Sequence, residues 1–415
     1  MPVAGLVCTA CTAQHDFGAL VYGCPACAAA GKRGQLEVTY RDLPERVARD
    51  QRASSGLWGY HAFLPVDTPT DRLALGEGDT PLPRGGPATA GWLELPELYF
   101  KNESANPTWS FKDRYDAVSV SVALSLGFRR VVVSSTGNHG AAVAAYAARG
   151  GMHCLVLCPP EVSEALVHQI GVYGAQVAIT DWEGRAGLIE HLSKARGWFP
   201  VGLFMPFAVS NPFGIEGYKT IAFEIVAQLG RAPDAVLFPC ARGNGLYGAW
   251  KGFEILRRTG QIERSPRLYA CQPAGANPLE RAFVGGLDYV GEVERPYSVA
   301  TSVRESTADV HALRAVRASG GEGMSAGDDA ILSALGRMGA DGLCVEPASA
   351  LPLACLAELR ARGQIRPQET VVCVVTGAGV KWPAPLAQFS NRRARRIAPT
   401  AAAVDALLDE LGLRD

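Results

Sequence analysis

What this chain lacks narrows its function before any motif is read. It has almost no net charge: 40 Lys and Arg stand against 41 Asp and Glu, a formal −1. That removes the general electrostatic case for a nucleic-acid or anionic-membrane partner. No uninterrupted apolar run approaches the roughly 20 residues of a bilayer span. The opening MPVAGLVCTACTAQHDFG has neither the basic nor the apolar region of a secretory signal. Internal repeats and low-complexity tracts are absent. An even cysteine count is missing too, since there are eleven, and seven of them (Cys154, Cys158, Cys240, Cys271, Cys344, Cys355 and Cys373) fall mostly in apolar runs. Thiols of that kind suit a reducing compartment, so a cytoplasmic protein is expected.

What is present is a large core. With 415 residues, 48% of them hydrophobic, the chain suffices for two or three domains. The remaining four cysteines are grouped as Cys8-x2-Cys11 and Cys24-x2-Cys27, 12 residues apart, ahead of the strand-like 35–40. Four thiolates on two tight knuckles read as a closed tetrahedral zinc site, structural rather than catalytic; two disulfides are the alternative. From about residue 95 the pattern alternates strands with helices. Candidate strands are 130–135, 154–158, 176–180, 201–207, 235–240, 268–273, 342–347 and 370–377. Several are continuous apolar runs, as parallel strands covered on both faces should be, so an α/β chain with two parallel sheets is predicted. Residues 292–310 read as an irregular surface excursion, and the basic run 391–396 as a linker before a last helix at 400–411.

Four segments carry chemistry. In NESANPTWSFKDRYDAV (102–118), Asn106-Pro107 makes a turn and Ser110 with Asp113 predicts a capping box. Tyr115, Val118, Val122 and Leu126 then recur at helical spacing. Lys112 therefore sits at a helix N-terminus between Trp109 and Phe111. Desolvation and the helix dipole both disfavour its ammonium, leaving a neutral amine of the kind used for Schiff bases; the bland reading is a solvated lysine. The loop SSTGNHG (134–140) joins a strand to a helix, where Ser135, Thr136, Asn138 and His139 meet an anion or else form an ordinary turn. Ala241 to Gly248 contains a Gly-x-Gly-x-x-Gly match, but the next strand ends without the acidic residue that a dinucleotide's ribose requires. A single phosphate fits that loop better, with Arg242 as charged partner. Thr376 ends the most apolar strand, where ligands of parallel sheets bind or where a hydroxyl merely caps the backbone.

A lysine, an amide, a one-phosphate cradle and a strand-end hydroxyl are together what pyridoxal 5′-phosphate requires. Through NPTWSFKDR, SSTGNHGAAVAAYAARGG, NPFGIEGYKTIAFEI, GLYGAWKGF, GLCVEPASA and VVTGAGVK, the chain resembles the fold-type II (tryptophan synthase β-like) pyridoxal enzymes, and within them the threonine synthase family. These segments run in family order through most of 75–381, and an N-terminal ribbon also occurs in relatives. The resemblance implies a zinc ribbon over 1–42, a large cofactor-binding domain from 43–110 and 215–392, a small α/β domain over 111–214, and a tail helix in 393–415. It implies Lys112 as the Schiff-base lysine and proton shuttle, and Asn138 facing the ring oxygen. Ala241, Arg242, Gly243, Asn244 and Gly245 would form the phosphate cradle, with Thr376 at the ring nitrogen. Ser135, Thr136 and His139 would meet the substrate carboxylate, and Cys8, Cys11, Cys24 and Cys27 the metal.

The implied activity is a lyase acting by elimination and replacement on a small L-amino acid, threonine synthase foremost. A serine or threonine deaminase-like or cysteate-synthase-like relative, or a catalytically silent regulator, is the alternative. Neither nucleic acid nor membrane is a partner in this reading, and a homodimer is compatible with it. The chain departs from the family's pattern at several positions. Trp109 and Tyr115 replace glycines, and His139 a threonine. Leu166 lies near a family lysine, while Gly214 replaces an arginine and Tyr218 a glutamine. Arg242 and Asn244 stand for Asn and Gly. Two missing cations predict that O-phosphohomoserine is a poorer substrate than a shorter β-substituted amino acid, and Trp109 is expected to narrow the cleft. His139, Arg242 or His168 are the residues able to compensate.

Overall fold

The computed structural model describes residues 3–50, 56–135, 137–181, 184–202, 210–389 and 397–413. Strands β1 (Val3–Cys8), β2 (Gln14–His15) and β3 (Leu36–Tyr40) form an antiparallel ribbon in the order β2-β1-β3. β4 (Leu98–Asn102) then opens a larger sheet. β5 (Arg130–Ser134), β6 (His153–Cys158), β7 (Gln176–Ile179) and β8 (Phe199–Pro200) make a separate parallel sheet ordered β7-β6-β5-β8. β9 (Ala235–Pro239), β10 (Arg267–Pro273), β11 (Gly323–Ala326) and β12 (Val371–Val375) complete the larger sheet, ordered β11-β10-β9-β12-β4 and parallel throughout. Every residue of β9 and β12 is buried, because helices cover both faces; this is why those strands read as unbroken apolar runs.

The chain divides into two compact units, Met1–Trp382 and Pro383–Asp415. The second contains the helix Ala401–Leu411, whose N-terminus is capped by the Thr400 side chain accepting from Ala403 N–H, close to the expected 400–411. The basic run 391–396 lies outside the described residues. Among those described, no helix is long and apolar enough to cross a membrane.

Three local expectations are corrected. Residues 342–347 are not a strand: Gly342 turns with φ +85°, Val345 makes one isolated bridge to Ala378, and Pro347 starts the helix Pro347–Ala361. Proline's fixed φ and missing N–H suit that first helical turn better than a ladder. The strand expected at 201–207 ends earlier, as β8, with 203–209 outside the described residues. The capping box does not form either. Asp113 is buried and accepts at Oδ2 from Thr108 N–H (2.9 Å) and Thr108 Oγ1 (3.0 Å), while the Ser110 hydroxyl has no hydrogen-bond partner. Burial pushes the Asp113 carboxyl up to about 8.

A buried ion cluster joins β4 to the helix Lys219–Leu229. Arg114 lies 2.6 Å from Glu103 and 2.7 Å from Glu224, and Lys101 lies 2.7 Å from Glu224; all four are almost fully buried. Because β4 carries Lys101 in its interior, its apolar run is broken, which is why the strand escaped the pattern. β11, reading Gly-Met-Ser-Ala, offers no β-branched signal at all.

Candidate active site

The C-terminal ends of β5, β9 and β12 open onto one cavity of about 140 Å³. Its wall includes Lys112, Ser135, Asn138, His139, the whole 241–245 loop and Thr376, so segments more than 260 residues apart in sequence converge, as parallel α/β sheets place ligands beyond their strand ends. Thr136 lies outside the described residues.

Lys112 opens the helix Lys112–Ser125, and its loop is pinned to the end of β12 by Phe111 N–H donating to the Thr376 carbonyl (2.9 Å). Its Nζ lies 5.0 Å from the Phe111 ring centre and 5.7 Å from that of Tyr115. Burial lowers its pKa, against the opposing pull of Asp116, Glu305 and Glu346, so the amine is shifted toward its neutral, nucleophilic form.

At the second wall, Ser135 Oγ accepts from Gly137 N–H (3.0 Å) and Gly140 N–H (2.9 Å), which ties the loop to the helix Asn138–Arg149 and leaves the hydroxyl hydrogen for a ligand. Asn138 Nδ2 donates to Glu346 (3.0 Å), while its Oδ1 is buried without a partner. His139 Nε2 lies 3.0 Å from Asp116 and its ring meets Tyr115 edge-on. At the third, Gly243 adopts φ +90° before the helix Asn244–Arg258. A Cβ at Gly245 would stand 2.7 Å from the Phe111 ring, so the backbone there must stay bare. Arg242 pairs with Asp309 (2.5 Å) and keeps a buried Nε with no partner. Backbone N–H groups at a helix start beside an unspent guanidinium donor make a receptor for one phosphate.

Thr376 Oγ1 lies 3.2 Å from both Glu346 Oε1 and Ser349 Oγ. Glu346 thus bridges Asn138 and Thr376 across the cavity; burial raises its pKa, against the Lys381 charge and the Asn138 and Thr376 hydrogen bonds that hold its charged form. Sequence reasoning quoted its segment, GLCVEPASA, without choosing the glutamate, although a carboxylate in an apolar strand-to-helix junction is a visible anomaly. It also missed Arg185, Ser210, Ser302 and Glu305 on the same wall. The last two belong to the 292–310 stretch, which is a cavity wall and not merely a surface excursion.

The residues expected to set the substrate divide differently. Trp109 is 48% exposed, does not line the cavity, and has φ +61°. Leu166 is buried against Gly137, and a Cβ at Gly214 would strike Ser119 Oγ and the Tyr115 ring. His168 faces away, beside Glu164.

In the ribbon, the sulfurs of Cys8, Cys11, Cys24 and Cys27 all lie within 4.8 Å of one another, and none is in a disulfide. Ala10 and Cys11 N–H groups point at Cys8 Sγ (3.4 and 3.5 Å). Gly34 closes the cluster: a Cβ there would sit under 3 Å from the Cys8 and Cys27 sulfurs.

Known proteins resemble this chain along most of its length. Residues 73–377 match the model of the pyridoxal-phosphate dependent enzyme family. The chain is 35% identical to a threonine synthase of Methanocaldococcus jannaschii over 91% of its own length and 92% of that protein's. Against a threonine synthase of Mycobacterium leprae it is 34% identical, over 92% and 99%. Among solved structures, the processed form of threonine deaminase isoform 2 from Solanum lycopersicum superposes with a TM-score of 0.66 at 19% identity, covering 84% of this chain and 98% of that one.

Proposed function

We infer the function from a membership: this chain belongs to the pyridoxal-phosphate-dependent enzymes, and within them to the threonine synthase family. It acts as a lyase of threonine synthase type on a small L-amino acid, and conversion of O-phosphohomoserine and water to threonine and phosphate is the first reading. The observation that carries it is the meeting of Lys112, Asn138, the 241–245 loop and Thr376 in one cavity.

The donor set fits pyridoxal phosphate. Arg242 Nε is a buried donor with no partner, Asn138 Nδ2 has a second hydrogen beyond the one it gives Glu346, and the bare backbone at Gly245 leaves room for a phosphate. Residues 241–245 would hold the phosphate, Asn138 the ring oxygen, Thr376 the ring nitrogen, and Lys112 the carbonyl carbon. When bound, the cofactor supplies an electron-withdrawing ring that stabilises negative charge on the substrate's Cα. With substrate bound, Lys112 would take the Cα proton and then a Cβ proton, which lets a γ-phosphate leave as inorganic phosphate, and would return protons to Cγ and Cα as water adds at Cβ; its lowered pKa suits a group that both takes and gives protons. Ser135, Thr136 and His139 bind the substrate carboxylate at the N-terminus of the helix Asn138–Arg149, where the dipole favours an anion.

A second reading, β-elimination or β-replacement on a shorter amino acid, is favoured by Gly214 and Leu166, whose packing leaves no cation at either position. A buried dianion without paired donors is costly. Steady-state kcat/KM for O-phosphohomoserine, O-phosphoserine, serine and threonine separates the two. Threonine formed from O-phosphohomoserine with no turnover of the others establishes the first; the reverse order establishes the second.

The four N-terminal cysteines form the ligand set of a structural zinc in a ribbon domain over 1–42, supported by the clustered sulfurs and the N–H groups aimed at Cys8. The rest divides into a large cofactor domain (43–110 and 215–392), a small one (111–214) and a tail helix within 393–415, a division supported for the middle of the chain by its two separate sheets. Free thiols throughout support a cytoplasmic setting. A homodimer is the form we expect.

A further inference from the structure

The ribbon meets the helix Asn244–Arg258, where Glu37 accepts from the Tyr247 hydroxyl. Gln35 follows Gly34, the residue that closes the cysteine cluster, and is buried. Its side chain grips the backbone of one residue 175 positions away on both sides of its Cα: Nε2 donates to the Ser210 carbonyl (2.7 Å) and Oε1 accepts from Ser210 N–H (2.8 Å). Ser210 Oγ in turn donates to Asp309 Oδ2 (2.5 Å) and lies 2.9 Å from the Asn244 side chain. Asp309 holds Arg242 twice, through its other carboxylate oxygen at 2.5 Å and through its N–H donating to the Arg242 carbonyl (3.0 Å). Ser210 and both loop residues line the cavity. A two-bond amide clasp on the N–H and C=O of one residue fixes the two peptide groups that flank its Cα, and a buried chain of this kind loses more than one bond when one link is cut.

We propose that Gln35 and Ser210 are positioning residues for the cofactor's phosphate: the ribbon sets Arg242 and Asn244 in place through them. The proposal rests on the reading of 241–245 as the phosphate cradle. It assigns the ribbon a part in cofactor affinity, whereas a closed metal site alone implies only local stability. Because the chain ends on the phosphate cradle and not on the lysine, its loss is selective for the phosphorylated cofactor.

The test compares two probes, pyridoxal phosphate and pyridoxal, titrated into the full-length apoprotein and followed by cofactor absorbance. In Gln35→Leu, the dissociation constant for pyridoxal phosphate rises about tenfold, as expected for a buried hydrogen-bond pair, and that for pyridoxal is unchanged. Gln35→Glu keeps the acceptor half of the clasp and falls between. Ser210→Ala gives the same selectivity and serves if Gln35→Leu fails to fold. The phosphorus resonance of the bound cofactor moves in all three. Equal weakening of both probes, or of neither, overturns the proposal and leaves the functional reading standing. A wild-type chain that takes up no pyridoxal phosphate overturns both.

Discussion

Lys112 owes its chemistry to its surroundings. Phe111 and Tyr115 strip it of water, and the loop that carries it is tied to Thr376, so the amine is held where the strand-end hydroxyl is. Lys112→Ala should abolish turnover yet still bind pyridoxal phosphate without a covalent bond. Borohydride reduction and peptide mapping check the assignment: a label on Lys101 or Lys219 in the wild type would place the chemistry elsewhere. Both of those lysines are buried against carboxylates, Glu224 and Glu216. Trp109, three positions earlier, holds a left-handed backbone that costs a residue with a Cβ about 1 kcal/mol. Its exposed side chain returns little of this. Trp109→Gly should therefore raise stability by a comparable amount, read as a higher urea midpoint at unchanged m-value, with kcat/KM little altered. A glycine adopts that left-handed angle without cost, a reason for a small residue there that no reading of side-chain size supplied. The lysine and the glycine turn were legible because their chemistry is local. Glu346 and Arg185 were not, since a buried charge identifies itself only once its neighbours are known.

At the level of elements, three strand ends and two helix N-termini, those of Asn138–Arg149 and Asn244–Arg258, do most of the work of the site. β5, β9 and β12 were readable as strands because parallel sheets covered on both faces demand continuous apolar runs; β4 and β11 were not, one interrupted by Lys101 and the other made of small residues. The ribbon's cysteine spacing was plain in the sequence, but its docking was invisible, because Gln35 and Ser210 carry no pattern that links them. Cys24→Ser should lose the metal and the ribbon's local order. With the clasp loosened, pyridoxal phosphate affinity should fall roughly tenfold while the Lys112 chemistry survives. Metal content by atomic emission, paired with the cofactor titration, reads both; unchanged affinity in a metal-free, folded variant would separate the ribbon from the cradle.

For the molecule as a whole, the ion cluster around Arg114 sets the acid limit. Glu224 is held down to about 2, from an ordinary 4.5, by the Arg114 and Lys101 charges that outweigh its desolvation. A depressed carboxylate contributes stability that is fully present above pH 4.5 and is lost as the pH falls through 2, so acid unfolding should set in within that window. Glu224→Gln should cost about 3–5 kcal/mol, because it leaves buried Lys101 without a carboxylate and Arg114 with Glu103 alone; chemical denaturation at pH 7 measures it. The loss should shrink toward pH 2, where the wild type has itself given up the charge.

The long reach of the ribbon has a consequence in time. Thr9 and His311, 302 positions apart, meet at 2.9 Å, on the same face where Gln35 clasps Ser210. At about 5–20 residues per second, a ribosome that has released the first half of that pair needs roughly 15–60 s to release the second. The ribbon residues are therefore released long before the seat that holds them, and the 241–245 loop emerges with that partner already made. Assembly of the cradle is then a docking event late in synthesis, slow by its separation in sequence and vulnerable to any nascent chain whose cysteines have been oxidised on the way.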